Sequence, residues 1–434
     1  MSIGILGHGT RGSLLAGALA FAAVCLLPAG HGKTRADSKY YDVAYQFRLL
    51  PDEGAAKVTI GLDKNADYVR QIRLHIDPER HTDFEGDGEV SRKGNYVYWD
   101  PPKGGGELEY MVDVNNTRKS GSYDSRMTED WALFRGDDLV PPVSVRTKVG
   151  AESRARLRFK VPKDWATVTP YKRRSDSSYV VESANRRFDR PVGWMLAGSV
   201  GLRLEEISGT KVVVAGPFHQ GVRRQDVLAF LNWNLPELIQ VFPDYYEKLL
   251  IVSAGDPMWR GGLSGPGSLF IHSDRPLISE NGTSSLLHEI VHTAMRIRAE
   301  SDDDWIVEGF AEYYSLEAMR RSGTISPQRY DRALKMLTDW SADVKDLKGA
   351  RSHGPKTARA VLVLRDLDGE IRELSGGEAS LDDVARQLAR EGKVTLEGLR
   401  KITEGIVGRE VESLKAANLP LAGQENDLLS EARE

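Results

Sequence analysis

Two histidines four residues apart, with a glutamate after the first, stand in the run His288-Glu289-Ile290-Val291-His292. On an α-helix, positions i and i+4 lie about 40° apart around the axis and one turn along it. Both imidazoles then approach one point, and neutral imidazole suits zinc. A catalytic zinc takes three protein ligands and keeps a fourth position for water. Glu289 reaches that water rather than the metal and is the expected general base. The surrounding positions Leu286, Leu287, Ile290, Val291, Ala294 and Met295 are apolar, so the helix is expected to be buried. Burying two imidazoles and a carboxylate is costly unless they are paired or metal-bound.

A third ligand is expected on a following helix. The run Trp305-Ile306-Val307-Glu308-Gly309-Phe310-Ala311-Glu312-Tyr313-Tyr314 offers Glu308 and Glu312, and Glu300 lies just before it. A surface salt bridge is the ordinary role for Glu312 and Glu300. His75 and His81 have no second ligand at metal spacing and read as structural. His272 is either structural or turned into a cleft, and Tyr313 and Tyr314 read as packing residues.

These residues need a scaffold. From Tyr40 to about Ile207 apolar and polar residues mix at short spacing, as in Val43–Leu49, Val58–Leu62, Asn95–Trp99, Leu108–Val112 and Ala155–Val161, with turn residues between. This predicts an antiparallel sheet or sandwich. Near residue 210 the texture changes. Strands are expected at Lys211–Ala215, Leu249–Val252 and Ser268–Ile271, a helix at Gln225–Val241, and a glycine-rich loop at Gly261–Gly267. Helices are then expected at Ser284–Arg298, with Thr283 or Ser284 as cap, and at Asp304–Arg321, Pro327–Asp343, Thr357–Leu374, Leu381–Arg390 and Leu396–Val407.

The histidine motif together with Trp305-Ile306-Val307-Glu308-Gly309-Phe310-Ala311 resembles the gluzincin zinc metallopeptidases, in particular the glycyl aminopeptidase family and, more distantly, aminopeptidase N. The resemblance implies Glu308 as third zinc ligand beside His288 and His292. It extends to Gly261-Gly262-Leu263, implied to bind substrate backbone, to Trp165, and to the run Arg372–Val384. Two features depart from it. Ser264 stands where aminopeptidase N carries an amine-gripping glutamate. The stretch Ser352-His353-Gly354-Pro355-Lys356-Thr357-Ala358 lacks the tyrosine that steadies the oxyanion, so His353 is the candidate for that hydrogen bond.

The expected architecture is α+β, with a thermolysin-like zincin domain after the β domain. Its divisions are an export signal over 1–36, the β domain over 37–208, a catalytic core with the zinc site over 209–325, a C-terminal helical part over 326–420 and a polar tail over 421–434. The expected function is zinc-dependent hydrolysis of peptide bonds in a peptide or protein substrate, with one Zn2+ per chain. A weakly active or inactive relative that binds peptides or a protein partner is the alternative, and hydrolysis of another amide or ester uses the same chemistry.

The whole chain bounds these readings. Its 434 residues suffice for two or three domains, and its 40% apolar and 28% charged residues are ordinary for a globular protein. A net charge of −4 gives no pull toward nucleic acid. Arg11 precedes the apolar stretch Leu14–Leu27, Pro28 breaks it, and Thr34-Arg35-Ala36 offers a small-x-small cleavage site. That is the layout of a secretory signal peptide, which implies a periplasmic or secreted protein without a stable membrane span after cleavage. An uncleaved anchor is the alternative. Cys25, the sole cysteine, would leave with the signal, removing disulfide and thiol chemistry.

Overall fold

Strand β1, Lys39–Leu50, buries Tyr41, Val43, Tyr45, Phe47 and Leu49 on one face, the period-two pattern of a half-buried strand. The computed structural model describes residues 39–182, 188–415 and 419. The expected export signal, with Cys25, and the tail from 421 onward lie outside the described residues.

On one side β1 pairs antiparallel with β2, Ala55–Leu62, which pairs with β3, Gly106–Asp113. On the other side it runs parallel to β4, Ala151–Lys160. This pair departs from the antiparallel sheet expected of the region. Parallel neighbours need a long crossover, and the intervening chain supplies one. It also builds a four-stranded and part of a five-stranded sheet, and Phe47, Trp99, Tyr110 and Leu157 share one core.

A five-stranded mixed sheet then carries the candidate site. Its strands are β5 (Val200–Ile207), β6 (Thr210–Pro217), β7 (Lys248–Ala254), β8 (Gly262–Gly265) and β9 (Ser268–His272), in the order β5-β6-β7-β9-β8. The stretch expected as a glycine-rich loop is therefore partly edge strand, because Gly262–Gly265 pairs antiparallel with Ser268–Ile271. Helix α1, Arg224–Val241, makes the crossover between the parallel strands β6 and β7. The central strands are apolar on both faces because both are covered. Val212, Val214, Leu249 and Ile251 face the helices, while Val213, Ala215, Leu250 and Val252 pack with Trp131, Leu133, Trp194 and Leu196.

Among the described residues six further helices follow: α2 (Ser285–Met295), α3 (Asp304–Arg321), α4 (Pro327–Trp340), α5 (Pro355–Leu374), α6 (Leu381–Glu391) and α7 (Leu396–Val407). Helix α2 ends before the expected Arg298 because Arg296 adopts the left-handed conformation, φ 53°. Arg298-Ala299 then pairs with Lys393-Val394. Helix α5 begins earlier than expected, with Pro355 in its first turn. Among the described residues no helix is long and apolar enough to cross a membrane.

Helix α3 is fixed at two points. A Cβ on Gly309 would lie 2.7 Å from Ala360 Cβ, so glycine is what lets α3 and α5 approach so closely. Near its C-terminus, the buried Glu317 accepts hydrogen bonds from Arg320 Nε (2.9 Å), Arg321 Nε (3.1 Å) and the Tyr330 hydroxyl (2.7 Å). Burial alone would raise the Glu317 carboxyl, but Arg320, Tyr330 and Arg321 outweigh it and hold it below the usual range. A depressed folded-state pKa contributes stability at neutral pH that is lost as pH falls through it. Glu317→Gln is therefore expected to cost about 2–3 kcal/mol near neutrality, discounted for the exposure of Arg320. In denaturant melts the deficit should shrink on acidification; one that grows would contradict this assignment.

Candidate metal centre

Ser284 starts the key helix by accepting a hydrogen bond from the Leu287 amide at 3.3 Å. Leu286, Leu287, Ile290, Val291, Ala294 and Met295 are buried, which leaves His288, Glu289 and His292 on the half-buried face of α2. Glu308 comes from α3, packed alongside. One donor atom from each of His288, His292 and Glu308 lies within 4.8 Å of the others. Glu308 spans both imidazoles: Oε2 is 3.3 Å from His288 Nε2, and Oε1 is 3.4 Å from His292 Nε2. The two Nε2 atoms are 3.1 Å apart.

Behind this group, Glu312 Oε2 sits 2.8 Å from His288 Nδ1. A neutral His288 donating from Nδ1 to that carboxylate presents a lone pair at Nε2. That lone pair, the carboxylate of Glu308 and the second imidazole then converge, an arrangement that favours a cation between them. The surrounding carboxylates draw positive charge to this point. Burial disfavours a charged His288, yet Glu308, Glu312 and Glu289 more than offset it and raise its proton affinity. Glu308 is held low despite burial by the two imidazoles beside it. Two imidazoles and one carboxylate are a donor set that suits zinc.

A cleft of about 500 Å³ opens over these residues and is lined by Gly262, His288, Glu289, Glu308, Glu312 and His353, among others. A Cβ on Gly262 would lie 2.7 Å from Glu289 Cγ, so the bare backbone of β8 runs directly beside the carboxylate. Of the three residues expected to bind substrate backbone, Gly262 is the one that lines the cleft. Gly261 is buried beneath the Trp259 indole, and its carbonyl accepts from the His272 amide at 3.0 Å. The Leu263 carbonyl accepts from Trp194 Nε1 at 2.8 Å.

The other candidates separate cleanly. His353 is exposed at the cleft rim, and its loop is tied to α3 by the Ser352 amide, which donates to Asp304 Oδ2 at 2.7 Å. His272 is buried away from the cleft lining, with Nδ1 accepting from the Asp274 amide at 3.2 Å and Nε2 facing Asp256 at 3.3 Å. Tyr313 and Tyr314 are buried, the latter donating to Asp382. Glu300 pairs with Lys393 at the surface. His75 stacks on Tyr96, and His81 bridges the Asp77 and Asp138 carbonyls. Glu312 was expected to be a surface ion-pairing residue and is instead the partner of His288. Its place one helical turn beyond Glu308 was the available signal.

No family model matches this chain, and no curated protein does. Solved structures do. An aminopeptidase N family protein from Idiomarina loihiensis aligns with a TM-score of 0.61 at 14% identity, over 80% of this chain and 70% of that one. An M1 zinc metallopeptidase from Deinococcus radiodurans aligns with a TM-score of 0.54 at 15% identity, over 86% and 91%. Aminopeptidase A from Legionella pneumophila, in complex with aspartic acid, aligns with a TM-score of 0.53 at 12% identity, over 86% of this chain and 48% of its own. At these identities the likeness is one of fold: the mixed α+β chain shares the architecture of the M1 aminopeptidases.

Proposed function

We propose that this chain is an exported zinc-dependent peptidase of the gluzincin type, with one zinc per chain held by His288, His292 and Glu308. The observation that carries the reading is the convergence of those donors within 4.8 Å, with His288 and Glu308 lining a cleft that also holds Glu289. The shared fold with zinc metallopeptidases and aminopeptidases supports it, and the layout of residues 1–36 supports export.

When bound, zinc supplies Lewis acidity and lowers the pKa of a water toward neutrality. The protein's own groups do the rest. Glu289 accepts a proton from water in the cleft and returns it to the leaving amine. The free edge of β8 at Gly262 aligns an extended peptide by strand addition. His353, at the rim, donates a hydrogen bond to the scissile carbonyl oxygen as negative charge develops. Glu312 holds His288 in the tautomer and orientation that turn Nε2 toward Glu308 and His292, where it would hold zinc.

The test is to incubate protein prepared without chelator with a peptide library carrying free and blocked N-termini. Hydrolysis that stops on chelation and returns with zinc supports the proposal; zinc-loaded protein that leaves every peptide intact contradicts it. Glu312→Ala is expected to weaken zinc binding about 10–100-fold without abolishing it, the usual effect of losing such an outer partner. A competing chelator titration measures this, and unchanged affinity would remove Glu312 from the site.

A further inference from the structure

The chemistry of the cleft lies on α2 and α3, but its opposite wall is α4, and that wall is apolar. Ala333, Met336, Leu337 and Trp340 all line the same cavity as Glu289 and Glu308. Ala333 and Leu337 are buried, while Met336 is 38% and Trp340 58% exposed. Met336 and Trp340 are one turn apart and so share a face of the helix. Elsewhere α4 shows water what a solvated helix should: Asp331, Arg332, Lys335 and Asp339 are exposed, the last two paired at 2.7 Å. The exposed apolar pair thus borders the charged surface of the same helix and, with Ala333 and Leu337, lines the cleft.

The wall is also connected to the helix that carries Glu308. The Trp340 indole lies against Gly354, where a Cβ would come within 3.4 Å and 3.7 Å of its ring carbons. Gly354 has φ +59° and ψ −125°, a conformation that side chains other than hydrogen rarely adopt. Its loop is anchored through Ser352 to Asp304, at the start of the helix that carries Glu308. The loop beside the indole is therefore tied to the helix that carries Glu308. A cavity of about 500 Å³ is of the size that takes a bulky group along with polar contacts.

We propose that Met336, Leu337 and Trp340 form a subsite for one large apolar or aromatic side chain of the substrate, on a residue flanking the scissile bond. This rests on the peptidase reading above and assigns its specificity. A peptide laid along β8 past Glu289 would place such a side chain between the metal donors and α4, where burying it removes apolar surface of both partners from water.

The test separates this assignment from the peptidase reading by measuring binding as well as turnover. Zinc-loaded Glu289→Gln protein is titrated with N-blocked peptides that differ in one residue, phenylalanine or alanine, at each of two central positions. The phenylalanine peptide is expected to bind at least about tenfold more tightly at one of these positions, the order of effect of burying a large apolar side chain. In Trp340→Ala and Met336→Glu backgrounds that ratio should collapse toward unity, while Trp233→Ala, an exposed aromatic on α1, should preserve it. Equal affinities in the parent protein, or a preference that survives both α4 substitutions, overturn the subsite. Retained discrimination with no hydrolysis by the wild-type protein would support the subsite while sinking the peptidase reading.

Discussion

Glu289→Gln is expected to lower peptide turnover by on the order of 10²–10⁴, the usual contribution of a general base, and to leave zinc content unchanged. The amide matches the carboxylate in size, so the close seat beside Gly262, where a Cβ would come 2.7 Å from Glu289 Cγ, is undisturbed. An amide cannot take up the proton that the carboxylate accepts. Glu289 is also outside the converging donor set of His288, His292 and Glu308, so metal retention should not respond. Parallel measurement of kcat and of bound zinc distinguishes this from a structural role. A variant that lost zinc together with activity would show Glu289 acting through the metal site instead.

Glu308→Ala is expected to abolish stable zinc binding, and His292→Ala to do the same. Glu308 faces both Nε2 atoms at 3.3 and 3.4 Å, so its loss leaves two donors where a catalytic zinc takes three. The comparison with Glu312→Ala is the informative one. Glu312 meets His288 at Nδ1, the ring nitrogen turned away from the convergence point, and should modulate affinity rather than decide it. Zinc lost on dialysis from Glu308→Ala but retained by Glu312→Ala fits the assignment. The reverse order would make Glu312 the third ligand and Glu308 its support.

Much of the site was legible because it is local. His288 and His292 share a helix face by spacing alone, Ser284 caps that helix, and Glu308 lies one short connection away. The helices were legible from their periodicity, with errors at the ends where backbone geometry decides, as at Arg296. What stayed hidden depends on partners distant in sequence. The parallel register of β1 with β4 follows from a topology that no local pattern encodes. The Gly261 carbonyl is taken by His272 and the Leu263 carbonyl by Trp194, 69 residues away, so of this stretch Gly262 is the residue that faces the cleft. Glu312 and His272 show the same limit. A glutamate on a helix and a histidine after a strand look alike whether exposed or buried, and their roles appear once their neighbours are in place.

The proposed function requires that one zinc, bound by these three side chains, enable hydrolysis. Titrating zinc into metal-free wild-type protein while following cleavage of an N-blocked peptide measures this. Activity should rise linearly and level off at about one equivalent per chain, as a single three-ligand site requires. Saturation with tightly bound zinc and no hydrolysis, or hydrolysis undiminished in the metal-free protein, would contradict it.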